Sequence, residues 1–387
     1  MKSITTMNTL IAVVVGAPLV LPAAALAQPA APAAVHAVVP AVPQPAQGRT
    51  VSRVAPPERQ HGQQPEPPPR PGALARTRQH AIERTQTVTR TFKVGARGEL
   101  VLSNLSGHIT IMRGGGNELK VEAVKTARGR DEQDAQEMLD LVQVEFVERG
   151  SRAEAKSVYP HDRGARTERR NINVSVTYTV TAPEHTRITA RTLSGNIRVN
   201  DIKGELALTS TSGNVIISNA ARVLNARSTS GNVEITNMTS EAGCDAGSIS
   251  GNVVLRQVRA PRLEAGTISG RVLLHDVVAD RLTAQSVSGD VEFASALSKS
   301  GRYTLKSHSG NVRLALAGDT GFELDASSFA GAVRSEIPLK DQVVVASDVR
   351  RRVGEGGRAR AVRGVFGDGS ALLDVTSFSG NVTVTRR

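Results

Sequence analysis

The chain has 387 residues, of which 3% are aromatic and none is tryptophan. So few rings argue against a core of large aromatic side chains and favour one of Val, Leu, Ile and Ala, in which β-branched residues prefer sheet. The single cysteine, Cys244, excludes an intramolecular disulfide, and a formal charge of +12 favours anionic partners such as lipid headgroups, acidic polysaccharide or nucleic acid.

Residues 1–27 have the pattern of an export signal. A basic residue near the start precedes an apolar run over residues 10–26, and the small-x-small triplet at residues 25–27 marks a cleavage site. A membrane-spanning helix is the alternative, but Pro18 and Pro22 interrupt the run and no basic anchor follows it. We therefore expect an exported protein, in the periplasm or at the cell surface, with no transmembrane segment in the mature chain.

Residues 28–84 are rich in proline and alanine. Such a segment cannot bury enough apolar surface to fold, so we expect a disordered tether with polyproline II character. A proline-motif ligand for another protein is the alternative interpretation of the same composition.

The pattern changes to short alternating runs over residues 85–186, which indicates a β-rich N-terminal region. One helix is predicted over Asp131–Val142, because acidic residues occupy its first turn, where the helix dipole favours them. A hydrophilic loop is predicted over Ser151–Arg170, followed by a strong strand that Pro183 ends.

From residue 187 to 387 the chain repeats a short unit. The glycine of each Ser-Gly or Ala-Gly pair recurs every 18 to 21 residues up to Gly331, with an earlier isolated copy at Gly107 and a last copy after a longer interval. The structural repeat glycines are Gly195, Gly213, Gly231, Gly251, Gly270, Gly289, Gly310, Gly331 and Gly380. A period this short corresponds to one coil per repeat.

Positions counted from these glycines form columns of like residues. The column seven residues before the glycine is almost entirely apolar and comprises Ile188, Leu206, Leu224, Cys244, Leu263, Leu282, Tyr303, Leu324 and Leu373. Apolar residues also stand five before, two after and four after, whereas Ser or Thr stands three before. A spacing of two puts residues on one face of a strand, so each repeat is two short strands bent at the glycine.

Stacking such units would join their apolar columns into one core. We therefore predict an all-β fold, a parallel β-solenoid of about ten coils of about 19 residues, preceded by the β-rich part with one short helix. At Gly231, in "STSGNVEI", the corner is predicted to need a backbone conformation with positive φ.

No catalytic, cofactor-binding or metal site is expected. A repeat serine acting as a nucleophile would need a partner histidine, and no histidine pairs with the serine column. A phosphate-binding loop would need a helix after the glycine, where a strand follows instead. A polysaccharide lyase or hydrolase would need clustered carboxylates, and the aspartates fall in unlike columns, namely Asp201, Asp245, Asp276, Asp280, Asp290, Asp319 and Asp325.

Two further features have both a functional and a structural interpretation. Cys244 stands in the apolar column, which favours a small buried core residue over a reactive thiol. An arginine cluster in the long interval before Gly380 is a candidate anion-binding site, with a solvated loop as the alternative; it comprises Arg350, Arg351, Arg352, Arg358, Arg360 and Arg363.

The chain resembles the bacterial putative-adhesin family, the domain of unknown function 4097, whose members are β-strand-repeat proteins. The resemblance covers roughly residues 88–387 and rests on "GELVLSNLSGHITI", "YTVTAPEHTRITARTLSGNIRV", the Ser-Gly-Asn-Val coils and "GVFGDGSALLDVTSFSGNVTV". It implies an exported, non-enzymatic β-solenoid with a role in adhesion, and it supplies no catalytic residues. The long Pro/Ala-rich spacer and the arginine-rich insertion depart from the family pattern.

The predicted function is therefore binding rather than catalysis, as an adhesin or a scaffold of the cell envelope. The expected partners are an anionic envelope glycan or lipid, or an envelope protein, with no specific nucleic acid. The alternatives are a polysaccharide-acting enzyme on a β-helix and a partner-binding module in envelope-stress regulation.

Overall fold

The computed structural model describes three stretches of chain, residues 82–160, 173–346 and 359–387. All of them belong to one compact unit, Ala75–Arg387, whereas the second unit, Met1–Leu74, lies outside the described residues. The predicted export signal also lies outside them, as does the predicted tether up to residue 81. Ile82, where the first strand begins, falls within the last residues assigned to the tether.

The N-terminal part contains seven strands and one helix among the described residues. They are β1 (Ile82–Phe92), β2 (Glu99–Ser106), β3 (Ile109–Arg113), β4 (Leu119–Gly129), α1 (Glu132–Leu141), β5 (Gln143–Arg149), β6 (Arg152–Val158) and β7 (Val174–Ala182). The predicted helix is confirmed: Asp131 is its N-cap, and the Asp131 side chain accepts a hydrogen bond from the Asp134 N–H at 2.7 Å.

Paired short strands follow along the repeats. The first ten are β8 (Arg187–Ser194), β9 (Ile197–Asn200), β10 (Glu205–Ser212), β11 (Val215–Ala220), β12 (Arg222–Ser228), β13 (Val233–Thr239), β14 (Cys244–Ser248), β15 (Val253–Arg259), β16 (Arg262–Ser269) and β17 (Val272–His275). The rest are β18 (Arg281–Ser288), β19 (Val291–Ala296), β20 (Arg302–Ser307), β21 (Val312–Ala317), β22 (Phe322–Ser328), β23 (Val333–Ser335), β24 (Lys340–Ala346), β25 (Ala359–Phe366), β26 (Ala371–Ser377) and β27 (Val382–Arg386).

These strands form two long sheets that are mainly parallel. Sheet A has the order β1-β4-β7-β3-β9-β11-β13-β15-β17-β19-β21-β27-β23, and sheet B has the order β24-β25-β22-β26-β20-β18-β16-β14-β12-β10-β8-β2-β6-β5. In each coil the strand before the repeat glycine lies in sheet B and the strand after it lies in sheet A. The predicted parallel β-solenoid is confirmed, and the apolar columns of both strands point into a core between the sheets.

The N-terminal part belongs to the same stack. Strands β2 and β3 form the first coil, around Gly107, because β2 pairs in parallel with β8 and β3 pairs in parallel with β9. Strands β7, β4 and β1 extend sheet A beyond this coil: β7 pairs in parallel with β3, and β4 is antiparallel to both β7 and β1. Lys125 of β4 donates from Nζ to the carbonyl oxygens of Leu139 and Val142 at 2.9 and 3.0 Å. These bonds satisfy carbonyls at the C-terminal end of α1, which fixes the helix on the sheet.

The predicted loop over Ser151–Arg170 is wrong in its first part, because β6 is a strand. The small side chains of Ala153, Ala155 and Ser157 alternate with polar residues and are buried. Strand β6 pairs in parallel with β2 and antiparallel with β5. Alanine and serine are only weakly hydrophobic or polar, so a search for alternating large apolar residues does not detect the alternation in β6. Residues 161–172 lie outside the described residues.

The corner at each repeat glycine is held by close backbone stacking. A Cβ atom added at Gly231 would lie 2.3 Å from the carbonyl oxygen of Gly213, one coil away, and the other repeat glycines show the same approach. The expectation of positive φ at Gly231 is wrong, since that residue is not in the left-handed region. Glycine is needed at this corner because a side chain would collide with the neighbouring coil.

The serine column satisfies the carbonyl groups of the same corner. Ser228 Oγ donates to the Gly213 carbonyl oxygen at 2.8 Å, and Ser210, Ser248, Thr267, Ser286, Ser307, Ser328 and Ser377 make the equivalent bond to the adjacent coil. Asparagines after the glycine form a second ladder, as in Asn232 N–H to Asn214 Oδ1 at 2.8 Å. The conspicuous Ser, Gly and Asn of each repeat therefore maintain the stack.

We expect Ser228→Ala to lower the free energy of unfolding by about 1 kcal/mol, because the Gly213 carbonyl loses a partly buried hydrogen bond. Ser230→Ala is the matched control, since Ser230 is exposed in the same turn. Urea unfolding of the two variants measures the difference. Equal stabilities would contradict the role assigned to the serine column.

The apolar column seven residues before the glycine is broken at one position. A β-bulge between β10 and β12 pairs Leu206 with Val223, so Val223 is buried and Leu224 is 41% exposed. The placement of Leu224 in the core column is therefore wrong. Val223 and Leu224 are adjacent apolar residues. Counting seven back from Gly231 selects Leu224, which points outward, whereas Val223 points into the core.

The last coil of the sequence is not the last coil of the stack. Strands β26 and β27 lie between the coil of β20 and β21 and the coil of β22 and β23. Gly380 therefore stacks on Gly310, and Gly331 stacks on Gly380. Antiparallel strands β24 and β25 then extend sheet B beyond β22. The longer interval before Gly380 returns the chain to an internal position.

Candidate binding face

The outer face of sheet B carries a row of exposed apolar or aromatic side chains. Each stands two residues before a repeat glycine, beside the buried serine column. In stacking order the row continues over six successive coils and comprises Ile249, Ile268, Val287, His308, Phe378 and Phe329, which we call the ridge. Its five apolar members are 46–65% exposed. Contiguous apolar exposure of this kind marks interaction surfaces in soluble proteins.

The aromatic end of the ridge is ordered by ring stacking. The ring centroids of His308 and Phe378 are 4.7 Å apart with planes at 6°, and those of Phe378 and Phe329 are 4.8 Å apart with planes at 5°. This spacing matches the separation of neighbouring strands, about 4.8 Å. The rings cover one another's faces and present their edges outward, so the ridge is a narrow apolar strip.

A groove of about 790 Å³ runs along the ridge. Ile249, Ile268 and Val287 line one side of it, and Asp245 and Glu264 lie on the other side. Between them the strand positions are glycines, Gly247 and Gly266, and the ends of the groove are lined by Thr209, Arg227, Gln285, Lys306 and Thr376 among others. Because these glycines have no side chain, the groove is deeper here than in the neighbouring coils, where the same strand position carries a side chain.

The charged side chains that line the groove balance one another. Arg227 forms an ion pair with Asp245, and Arg262 donates from Nε to Glu264 at 3.1 Å. Lys306 lies 3.7 Å from Asp374. Two basic and two acidic residues, excluding histidine, are among the lining side chains, so the groove offers many hydrogen-bonding groups without a strong net charge.

The ridge was not identified from the sequence, although its signal was there. The columns described above lie seven, five and three residues before the glycine and two and four after it, so none of them includes the ridge position. The position two before the glycine nevertheless holds Leu105, Leu193, Ile249, Ile268, Val287, Phe329 and Phe378. An apolar column on the opposite face from the core column is the pattern that would have revealed it.

The serine column is occupied by its structural role. Its hydroxyls are buried and donate to glycine carbonyls, as described above for Ser228, so they are not presented to solvent as nucleophiles. Among the described histidines, His108 accepts a hydrogen bond at Nδ1 from the Asn196 N–H at 3.1 Å, and His308 stacks on Phe378. His161 lies outside the described residues.

The expectation that the aspartates fall in unlike columns is wrong, because Asp245 and Asp325 both stand six residues before a repeat glycine, and two pairs of acids are stacked on adjacent strands. Asp245 is the register partner of Glu264 on the adjacent strand, and Asp325 is the register partner of Asp374. Each of these carboxylates has a basic partner: Arg227, Arg262, Arg363 at 3.0 Å and Lys306, respectively. The first pair was overlooked because only aspartates were compared between coils.

Cys244 lies in the core column and is 4% exposed. Burial raises the pKa of its thiol to about 12, with a smaller contribution from the neighbouring Asp245. We expect the thiol to resist iodoacetamide at pH 8 in the native protein and to react once the protein is unfolded, because the thiolate is the nucleophile. Labelling is followed by mass spectrometry with and without denaturant. Rapid native labelling would contradict the register of β14.

The predicted anion-binding arginines lie partly outside the described residues, namely Arg350, Arg351, Arg352 and Arg358. Arg360 and Arg363 are exposed on β25, and Arg363 pairs with Asp325. Residues three apart on a strand leave opposite faces, so these two do not form a joint patch. Anion binding by this segment stays a prediction.

Two further properties concern only the part of the chain that the structure describes. No group of three or more His, Cys, Asp or Glu side chains is placed to hold a metal ion there. Within the same residues, no helix combines the length and the apolar character that a membrane span requires.

Comparison with known proteins gives a family match and similarities to solved structures at low sequence identity. Solved structures similar to this chain include proteins named "putative adhesin" from Bacteroides fragilis NCTC 9343 and Parabacteroides distasonis ATCC 8503, at 12% and 10% identity. Each similarity covers 78% of this chain and 97% of the other, with a TM-score of 0.37. A protein from Parabacteroides distasonis named "Putative lipid binding protein" matches over 60% of this chain and 90% of its own, at 12% identity and a TM-score of 0.36.

No curated protein matches the chain. The model of the family described as Toastrack DUF4097 matches residues 98–385. This range includes the first coil, the strands inserted after it and the coil that returns to the interior of the stack. The chain therefore belongs to the Toastrack DUF4097 family.

Proposed function

We propose that the protein is an adhesin-like binding protein of the cell surface, and that the ridge and groove on sheet B form its contact face. The observation that carries the proposal is the ridge itself. Six neighbouring coils place an apolar or aromatic side chain at the same exposed position, which costs solubility and contributes nothing to the core.

The shape of the face suits binding to a large or extended partner. Strands stack about 4.8 Å apart, so six ridge residues cover roughly 24 Å along the sheet. The flanking groove adds hydroxyl, amide and charged groups along the same line. An apolar strip bordered by polar groups is the usual composition of a recognition surface.

The test uses the full chain, coupled to fluorescent beads that are mixed with intact bacterial cells. We expect the beads to attach, and we expect the double variant Ile249→Thr/Ile268→Thr to lower attachment about tenfold or more, the equivalent of about 1.4 kcal/mol. Threonine is β-branched and suits an exposed strand position, so the fold should be retained.

Leu224→Thr is the matched control. Leu224 is 41% exposed at the bulge and does not line the groove, so attachment should be unchanged. The proposal fails if the wild-type beads do not attach to cells, or if the ridge variant and the control attach equally well. Display at the surface is tested separately, on intact cells that produce the protein. Protease added to these cells should remove the protein.

A polysaccharide-acting enzyme is the second candidate, favoured by one observation. Asp245 and Glu264 lie side by side across adjacent strands within the groove, and paired carboxylates about 5–9 Å apart hydrolyse glycosidic bonds. Both carboxyl groups already form ion pairs with arginines, Arg227 and Arg262, and these contacts compete with any contact to a glycosidic bond. Release of reducing sugar from a polysaccharide, abolished by Glu264→Gln, would favour the enzyme.

A further inference from the structure

Two glycines, Gly247 and Gly266, form the floor of the groove, although the fold does not require glycine at either position. A Cβ atom at Gly247 would have its nearest neighbour at 3.7 Å, and one at Gly266 at 3.5 Å, which are ordinary contacts. Neither glycine has positive φ. Packing and backbone conformation would both permit a side chain here, unlike at the corner glycines.

Glycine inside a strand weakens it and often marks a place where a ligand approaches the backbone closely. The two glycines are register partners on neighbouring strands, so together they form one continuous depression in the floor. Ile249 and Ile268 flank the depression on one side, and Asp245 and Glu264 flank it on the other. The depression therefore has one apolar wall and one wall of hydrogen-bond acceptors.

The two walls limit the chemistry of the ligand. The apolar wall suits C–H groups, whereas the carboxylates and the nearby Thr229, Thr283 and Gln285 suit hydroxyl and amide groups. Because each carboxylate is already paired with an arginine, the depression does not favour a strong cation. The balanced lining likewise gives no excess of positive charge for an anion.

A pyranose ring combines these properties, with C–H groups on its faces and hydroxyls at its rim. The groove lining extends over seven coils, from Thr209 to Phe378, a length of roughly 29 Å at the strand spacing. A site this long accommodates several linked sugars rather than one.

We propose that the groove binds a neutral, unbranched glycan, with sugar rings seated over Gly247 and Gly266 between the ridge and the two carboxylates. The proposal rests on the proposed function, because it specifies the partner of the same face. It places the ligand on the outer face of sheet B, over β14 and β16.

The test is a binding panel on the full chain with named probes: cellohexaose and chitohexaose as neutral β-linked chains, oligogalacturonate as an anionic chain, and phosphatidylglycerol vesicles. We expect at least one neutral chain to bind by isothermal titration calorimetry. Its affinity should change by no more than about threefold between roughly 0.1 M and 1 M salt, over which the Debye length falls from about 10 Å to about 3 Å.

Gly266→Val fills the depression with a side chain that strands favour. It should weaken neutral-glycan binding about tenfold or more while the unfolding midpoint stays the same or rises. Arg198→Val is the matched control, since it places valine at an exposed position on β9 of sheet A, and it should bind as the wild type does.

The proposal is overturned if neither neutral probe binds, if only the anionic chain or the vesicles bind and high salt removes them, or if Gly266→Val binds as well as the wild type. These failures differ from failure of the proposed function. Beads that attach to cells through the ridge while neutral glycans do not bind would retain the adhesin-like role and remove the glycan.

Discussion

Adding one methyl group at Gly251 should lower the free energy of unfolding by about 3 kcal/mol, while the same change at Gly247, four residues earlier, should leave it unchanged or raise it. At Gly251 the new Cβ would lie 2.2 Å from the carbonyl oxygen of Gly231. Relieving that overlap requires the two coils to separate, and overpacking of this kind typically costs 1–3 kcal/mol, occasionally more.

The loss should exceed the steric term because the same carbonyl is part of the corner network. Gly231 O accepts a hydrogen bond from Ser248 Oγ at 2.8 Å, and Asn252 N–H donates to Asn232 Oδ1 at 2.8 Å beside it. A displaced corner weakens both bonds, each worth about 1 kcal/mol.

Gly247→Ala is the matched control, since Gly247 lies in β14 with its nearest neighbour at 3.7 Å. Alanine in a strand is favoured over glycine by roughly 0.5–1 kcal/mol through the entropy of the unfolded chain. Urea unfolding followed by circular dichroism measures both variants. Equal midpoints would show that the corner glycines can be replaced and that close stacking is not their function.

The stacking of coils was predictable from the sequence because each column repeats the same physical requirement. An apolar side chain such as Leu206 or Leu263 must face the core in every coil, and the period of two within a strand shows which residues share that face. The predictions that failed concern positions where the structure depends on one particular neighbouring strand rather than on the repeated pattern. The bulge at Leu224 and the small-residue strand β6 depend on pairing with neighbours that the pattern does not contain.

The reason for the glycines could not be obtained from the sequence. Positive φ and close approach of two backbones both select glycine, and only the position of the neighbouring coil distinguishes them. The candidate face had a readable signal in its apolar column. The sequence contains no signal for the depression at Gly247 and Gly266, because a glycine within a strand does not by itself indicate a cavity. The cavity is recognised only when Asp245, Ile249 and their neighbours are placed around the two glycines.

The order of the last coils was also beyond the sequence, and it leads to the second large effect. The segment 371–387 fills an internal position of the stack, where Leu373, Val375, Val382 and Val384 are buried between two other coils. The apolar columns contain similar residues in all coils, so the residue types do not show which coil stacks on which. The hydrogen-bonded pairing of β26 with both β20 and β22 does.

Deletion of residues 371–387 should therefore destabilise the protein by on the order of 6 kcal/mol or more, taking about 1.5–3 kcal/mol for each of four buried Val or Leu side chains. In a stack where each coil contacts only its neighbours, removing an internal coil leaves two open ends. The coil of β22 and β23 loses its parallel partner in both sheets, whereas β20 and β21 each lose one of two parallel partners and keep β18 and β19.

Removal of Arg386 and Arg387 alone is the control. Their side chains form ion pairs with Asp319 and Asp276 that are more than half exposed, and exposed pairs contribute about 0–1 kcal/mol each. Limited proteolysis and urea unfolding distinguish the two truncations: the longer one should make residues 322–346 and 359–366 sensitive to protease, whereas the shorter one should not. Equal protection after both truncations would mean that the last coil lies at the end of the stack, because only an internal coil leaves β22 and β23 without support when it is removed.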